Sequence, residues 1–107
     1  MVESWLFPPQ VVAAWGRSSS SGGSWGDDGL LYLTGHDAHE LYVVRLPKSG
    51  VTLDYVTTIQ VPFEGQSWAW DRTAKDRRII YGISRARQEV IAAEIPSVPA
   101  DPPVNSR

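Results

Sequence analysis

The sequence predicts an all-β protein of two four-stranded antiparallel up-and-down sheets, and three observations carry that expectation. Short runs rich in Val, Ile, Thr and Tyr alternate with clusters of Gly, Pro, Asp and Ser, the pattern of strands separated by turns. No stretch sustains the apolar period of about 3.6 residues that an amphipathic helix requires. The chain also repeats itself. Residues 29–47 (GLLYLTGHDAHELYVVRLP) recur as residues 78–96 (RIIYGISRARQEVIAAEIP), and one constant spacing pairs Tyr32 with Tyr81, Glu40 with Glu89, Leu41 with Val90, Leu46 with Ile95 and Pro47 with Pro96.

Taken in order, residues 1–9 read as an N-terminal arm. Pro8 and Pro9 oppose a helix there and lack ladder donors, while Trp5, Leu6 and Phe7 call for a surface to dock on. Residues 10–15 (QVVAAW) are expected as a short strand on the β preference of Val11, Val12 and Trp15. Residues 17–23 (RSSSSGG) are a loop with little to bury. A brief strand follows around Trp25, then an Asp27-Asp28-Gly29 turn in which Asp bonds nearby backbone and Gly accepts positive φ. Strands are expected near 29–34, 40–46 and 51–61, with turns at 35–39 and 47–50. The second unit places strands near 66–70, 78–83 and 88–95 around a polar loop, 71–77, longer than its counterpart. Residues 88–95 have the alanine content of a helix, but the equivalent segment in the first unit carries Tyr42, Val43 and Val44, and strand suits both copies. Residues 97–107 read as a disordered tail.

A chain of 107 residues is enough for one small domain, here residues 10–96, with repeats at about 22–61 and 66–95 plus the strand at 10–15. Its 42% hydrophobic and 21% charged content is ordinary for a globular protein. A net charge of −2 with mixed signs argues against nucleic acid and anionic membranes as partners. The absence of cysteine excludes disulfides and thiolate metal sites. No run is long and apolar enough to span a bilayer, and the N-terminus, with Glu3 and two prolines, makes a poor signal peptide; the expectation is a cytoplasmic product.

The second unit stops one strand short, and residues 10–15 stand where the outer strand of a preceding unit would stand. Ser24-Trp25 is matched to Ser67-Trp68 as the start of each unit. The motif GSWGDDGLLYLTGHD followed by HELYVVRLP resembles blades of bacterial β-propeller proteins, over roughly residues 10–96. The resemblance implies blade-like sheets and no particular function. Propellers close with about four to eight blades, and two blades leave apolar faces open. Homo-oligomerisation is therefore expected, as a trimer or a dimer, with residues 10–15 exchanged between protomers. The alternative is a fragment whose sheets pack face to face as a small sandwich or barrel.

Several clusters bear chemistry-competent side chains. His36-Asp37-x-His39-Glu40 holds both histidines and offers ligand types suited to a divalent metal, against a plain reading as a solvated turn. Ser18 to Ser21 and Gly22-Gly23-Ser24-Trp25-Gly26 lack the nucleophile-elbow pattern. Asp27-Asp28, Asp71 and Asp76 read as turn and loop residues. Arg72, Lys75, Arg77 and Arg78, with Arg85 and Arg87, form a basic group interleaved with acids. Trp25, Trp68 and Trp70 are the leading binding candidates, because aromatic faces stack on sugars and cations; against this, Trp25 and Trp68 would serve equally well as filling between sheets. The sequence thus points to a non-enzymatic binding or scaffold protein that self-associates, with no cofactor, no resident metal, and a small-molecule or glycan ligand placed at Trp25, Trp68, Trp70, His36 and Asp37. A lectin-like module and the remnant of a hydrolytic propeller enzyme are the alternatives.

Overall fold

The computed structural model describes residues 3–16, 22–35, 38–64 and 67–99. Among them lie one helix, α1 (Pro9–Trp15), and seven strands: β1 (Gly22–Trp25), β2 (Leu31–Thr34), β3 (Glu40–Arg45), β4 (Asp54–Gln60), β5 (Trp68–Trp70), β6 (Ile79–Ser84) and β7 (Glu89–Glu94). The strands form two antiparallel meanders, a four-stranded sheet β1-β2-β3-β4 (sheet 1) and a three-stranded sheet β5-β6-β7 (sheet 2). The all-β class and the up-and-down order are as the alternation predicts, but sheet 2 has three strands among the described residues where four were expected. No helix among the described residues is long and apolar enough to cross a membrane.

Residues 10–15 depart from the expectation: they are helical rather than a strand. Pro8 takes an extended conformation (φ −62°, ψ 145°) and Pro9 opens the helix. At that position the missing N–H would have no intrahelical partner and the fixed φ is already helical, so the prolines start the helix instead of forbidding it. Gly16 ends it at φ 63°. The segment expected as an exchanged strand is therefore a helix, and its Val11 and Trp15 pack on sheet 1. Strand β4 is also shorter than the 51–61 expected. Residues 51–53 pair instead with the arm, where Leu6 donates from its N–H to the Val51 carbonyl at 2.7 Å and accepts from Leu53 at 2.9 Å.

The register corrects the matching of the two units. Trp25 stands opposite Leu31, and Trp70 stands opposite Ile80, the repeat equivalent of Leu31. Trp25 thus corresponds to Trp70, not to Trp68. The next residues, Gly26 and Asp71, likewise bond their N–H to the equivalent carbonyls of Leu30 and Ile79.

Side chains alternate across a strand, so each sheet has two faces. One face of sheet 1 carries Tyr32, Leu41, Val43 and Ile59, which pack with Phe63, Ile80 and Ile95, and with Trp68, Trp70, Ile91 and Ala93 of sheet 2. Between the sheets the ring of Phe63 lies against Gly82, where a Cβ would overlap it. The opposite face of sheet 1, with Leu33, Tyr42 and Val44, is covered by Val11 and Trp15 of α1 and by Leu53. Phe7 of the arm meets the Trp15 ring edge-on at 4.8 Å.

The repeat gives these contacts a direction. The equivalents of Tyr32, Leu41 and Val43 are Tyr81, Val90 and Ala92, and in sheet 2 these point away from sheet 1. The two units therefore face the same way: one side of sheet 1 meets the other side of sheet 2. Tyr81, Ile83 and Val90 remain 41%, 45% and 71% exposed, whereas Tyr32 and Leu41 are fully buried. Sheet 2 leaves open the same side by which sheet 1 holds it. Of the C-terminal segment, Val98 packs against the inter-sheet core; the tail expectation for residues 100–107 falls outside the described residues.

Candidate functional site

A connected polar cluster among the described residues centres on Arg78, at the start of β6, where the repeat equivalent is Gly29. Arg78 reaches across the sheet interface into the turn before β2. Its Nη2 donates to Asp28 Oδ2 at 3.3 Å and to the Tyr32 hydroxyl, its Nη1 donates to Asp27 Oδ1 at 3.4 Å, and its Nε donates to the Pro96 carbonyl at 3.2 Å. The guanidinium carbon also lies 5.6 Å from the Tyr32 ring centroid and 5.2 Å from that of Trp70. Planar, always charged and able to stack, a guanidinium suits this slot of carboxylate, hydroxyl and ring.

The turn is shaped to receive it. Asp28 Oδ1 accepts the Leu30 N–H at 3.0 Å, the side-chain-to-backbone bond expected of Asp in a turn, and Oδ2 accepts the Tyr32 hydroxyl at 2.5 Å. Gly29 takes φ 81°. Burial, and then the bond to Asp28, push the Tyr32 phenol above its ordinary range, so it stays a neutral donor.

Sheet 2 holds a second carboxylate–tyrosine pair on its open face. Tyr81, the equivalent of Tyr32, donates to Asp71 Oδ2 at 3.0 Å. Asp71 Oδ1 accepts the Thr73 hydroxyl at 2.6 Å, the Thr73 N–H at 2.9 Å and the Ala74 N–H at 3.2 Å. These bonds to Thr73, and then that from Tyr81, hold the Asp71 carboxyl below its ordinary range. The pair is built from a different chain position than the first. Asp71 stands where Gly26 stands in sheet 1, and a Cβ at Gly26 would meet Asp28 Oδ1 at 2.6 Å and the Tyr32 ring at 2.8 Å. A side chain on that position projects to where the Asp28 carboxylate lies, and Asp71 does so. Reading Asp71 as an ordinary loop residue missed this. Spelling alone gave no signal for it: the alignment of Trp25 with Trp70 sets Asp71 opposite Gly26, and the pair forms only once β5 and β6 are in register.

The sequence-predicted residues fall elsewhere. Trp68 and Trp70 sit between the sheets, ring against ring at 5.6 Å, with Trp70 also edge-on to Tyr32 at 5.1 Å. Their buried indole N–H groups find no acceptor among the described residues. Both act as packing bodies, whereas Trp25 is 47% exposed and turns an open ring to solvent. His36 and Asp37 lie outside the described residues. Their neighbour His39 is exposed, and Glu40 accepts from the Tyr42 hydroxyl at 2.6 Å and from Gln60 Nε2 at 3.1 Å. No group of three or more His, Asp or Glu side chains placed to hold a metal occurs among the described residues. The basic group is spread over separate partners: Arg72 donates to the Trp25 carbonyl, Arg77 pairs with Glu94 at 3.2 Å and Arg87 pairs with Glu89 at 3.0 Å.

Two concavities flank these residues. A pocket of about 190 Å³ beside Arg78 is lined by Asp27, Trp70, Asp71 and Arg72 among others. A wider groove of about 540 Å³ runs between β4, from Val56 to Gln60, and Pro96 to Pro99, and its described lining residues carry no titratable side chain. The Asp28–Tyr32 pair holds the Arg78 guanidinium, and the Asp71–Tyr81 pair repeats its carboxylate and hydroxyl. No protein-family model matches the chain, and no curated protein or solved structure does so.

Proposed function

We propose that this chain is a non-enzymatic binding or scaffold protein that works by sheet-on-sheet association through the open face of sheet 2, and that in the pure protein its own copies associate through that face. The observation that carries the reading is the shared direction of the two units. The side of sheet 1 that buries Tyr32, Leu41 and Val43 against sheet 2 has its equivalent in Tyr81, Val90 and Ala92, which face solvent together with Ile83. A side that forms a core in one repeat is chemically equipped to form one in the next. Covering Ile83 and Val90 removes apolar surface from water at roughly 25 cal/mol per Å². The blade-like character suggested by the sequence fits the arrangement inside the chain, because stacking in one direction is how successive blades pack; with α1 on the far side of sheet 1, two full-length copies meet open face to open face. The carbohydrate-binding alternative would rest on the exposed ring of Trp25 and on Trp70 where it lines the smaller pocket, since Trp68 and Trp70 also pack between the sheets.

Light scattering of the purified chain tests the proposal. The expected result is a mass that is a multiple of 11.8 kDa and that falls to the monomer in the double variant Ile83→Ser, Val90→Ser, with the far-ultraviolet circular dichroism unchanged. A wild-type chain that stays monomeric as concentration rises, or an oligomer indifferent to the double variant, overturns it.

A further inference from the structure

We propose that Asp71 and Tyr81 form a guanidinium-binding site that takes an arginine side chain from a β-sheet of a partner protein docking on the open face. The inference rests on the reading of that face given above and adds the chemistry of what docks there. Its template lies inside the molecule. In sheet 1 a carboxylate receives the hydroxyl of Tyr32, and the next sheet delivers Arg78 onto both, at 3.3 Å from Asp28 Oδ2 and over the tyrosine ring. In sheet 2 the equivalent tyrosine again donates to a carboxylate, and here the face is uncovered. The two carboxylates are used alike: Oδ1 is committed to its own turn, at Leu30 in one case and at Thr73 and Ala74 in the other, while Oδ2 takes the tyrosine. Asp71 Oδ2 therefore corresponds to the atom on which Arg78 lands in the filled site.

The donors and acceptors of the pair suit the same occupant. The Asp71 carboxyl is held below its ordinary range, so it is ionised at neutral pH, and the ring of Tyr81 offers a face beside it. A guanidinium satisfies carboxylate, hydroxyl and ring together, whereas an ammonium meets the carboxylate as a point charge and lacks the planar stack. A second copy stacking in the direction seen inside the molecule does not supply the arginine. The side of sheet 1 it would present carries Gly29 at the place of Arg78, and that side lies under α1.

The test is a titration of the Ile83→Ser, Val90→Ser variant, and of the same variant with Asp71→Asn, with N-acetyl-arginine amide and with N-acetyl-lysine amide, following the amide resonances of Thr73, Ala74 and Tyr81. The expected result is a saturable shift with the arginine amide, a much smaller one with the lysine amide, and loss of the arginine response in Asp71→Asn. Equal responses to the two amides, or an arginine response that survives Asp71→Asn, overturn the site. Light scattering of the wild-type chain with saturating arginine amide identifies the source. An unchanged mass supports a foreign arginine; release of monomer means that a second copy supplies it and overturns the assignment to a partner protein. The two readings fail separately, since the wild-type mass reports on the face and the titration reports on the pair.

Discussion

At the scale of single residues the molecule is organised by one arginine. Arg78 is 20% exposed and Asp28 17% exposed, so their ion pair sits at the margin of the core, where the dielectric is lower than at the open surface. Removing one partner there leaves a carboxylate and a phenol whose alternative is imperfect hydration under Trp70. Breaking a fully buried pair costs about 3–5 kcal/mol and an exposed one about 0–1. The intermediate burial places Arg78→Ala at about 2–3 kcal/mol of lost stability, read from the urea midpoint at unchanged slope. Arg78→Lys should recover part of that, since it restores the charge without the fork that reaches Asp27, Asp28 and Tyr32 together. A loss below about 0.5 kcal/mol for Arg78→Ala would mean that the contacts are no stronger than a surface pair, and the internal template for the Asp71–Tyr81 site would lose its energetic basis.

At the scale of elements, strand β6 shows how one small residue sets the distance between the sheets. Gly82 occupies the repeat position of Leu33, but its side of the strand faces the fully buried ring of Phe63. A methyl group there would overlap that ring, which is hemmed in by both sheets. Gly82→Ala should therefore cost about 1–3 kcal/mol despite the better strand propensity of alanine, and a shift in thermal midpoint in the other direction would show that the sheets separate freely. The strands themselves were legible because each pairs alternation with turn chemistry, as in Leu31 to Thr34 between the Asp28-Gly29 turn and Gly35. Helix α1 was not legible, because Pro8-Pro9 reads as a breaker unless it stands at the first helical turn, and because Val11 and Trp15 suit a strand as well as a helix. The matching of Trp25 failed for a local reason. Trp68 and Trp70 are two residues apart and share a face, so spelling alone cannot choose between them, whereas cross-strand register does. The Asp71–Tyr81 pair was hidden for a related reason: its members lie ten residues apart and meet only once β5 and β6 are aligned.

At the scale of the whole molecule, the shared direction of the two sheets makes the ends unlike. One end is the bare side of sheet 2; the other is the side of sheet 1 that Leu33, Tyr42 and Val44 would expose if Val11, Trp15 and the arm did not lie on it. Unlike ends that fit one another generate heterologous contacts, which run on into rings or open fibres, whereas a blocked end limits growth. On this view α1 is a terminator, much as the polar end repeats of stacked-repeat proteins are. Deleting residues 1–16 should then convert the limited self-association of the full chain into larger assemblies, seen as a rise in scattering mass that continues with concentration. Ile83→Ser with Val90→Ser should suppress that growth in the truncated chain, because an uncovered side of sheet 1 still needs a complementary side to meet. Circular dichroism checks that the sheets survive the deletion, as the direct strand pairing of β1 to β4 and β5 to β7 leads one to expect. If the truncated, folded chain has the same mass as the full one, α1 does not guard a stacking surface, and the likeness between the inner contact and the open face carries no consequence for assembly.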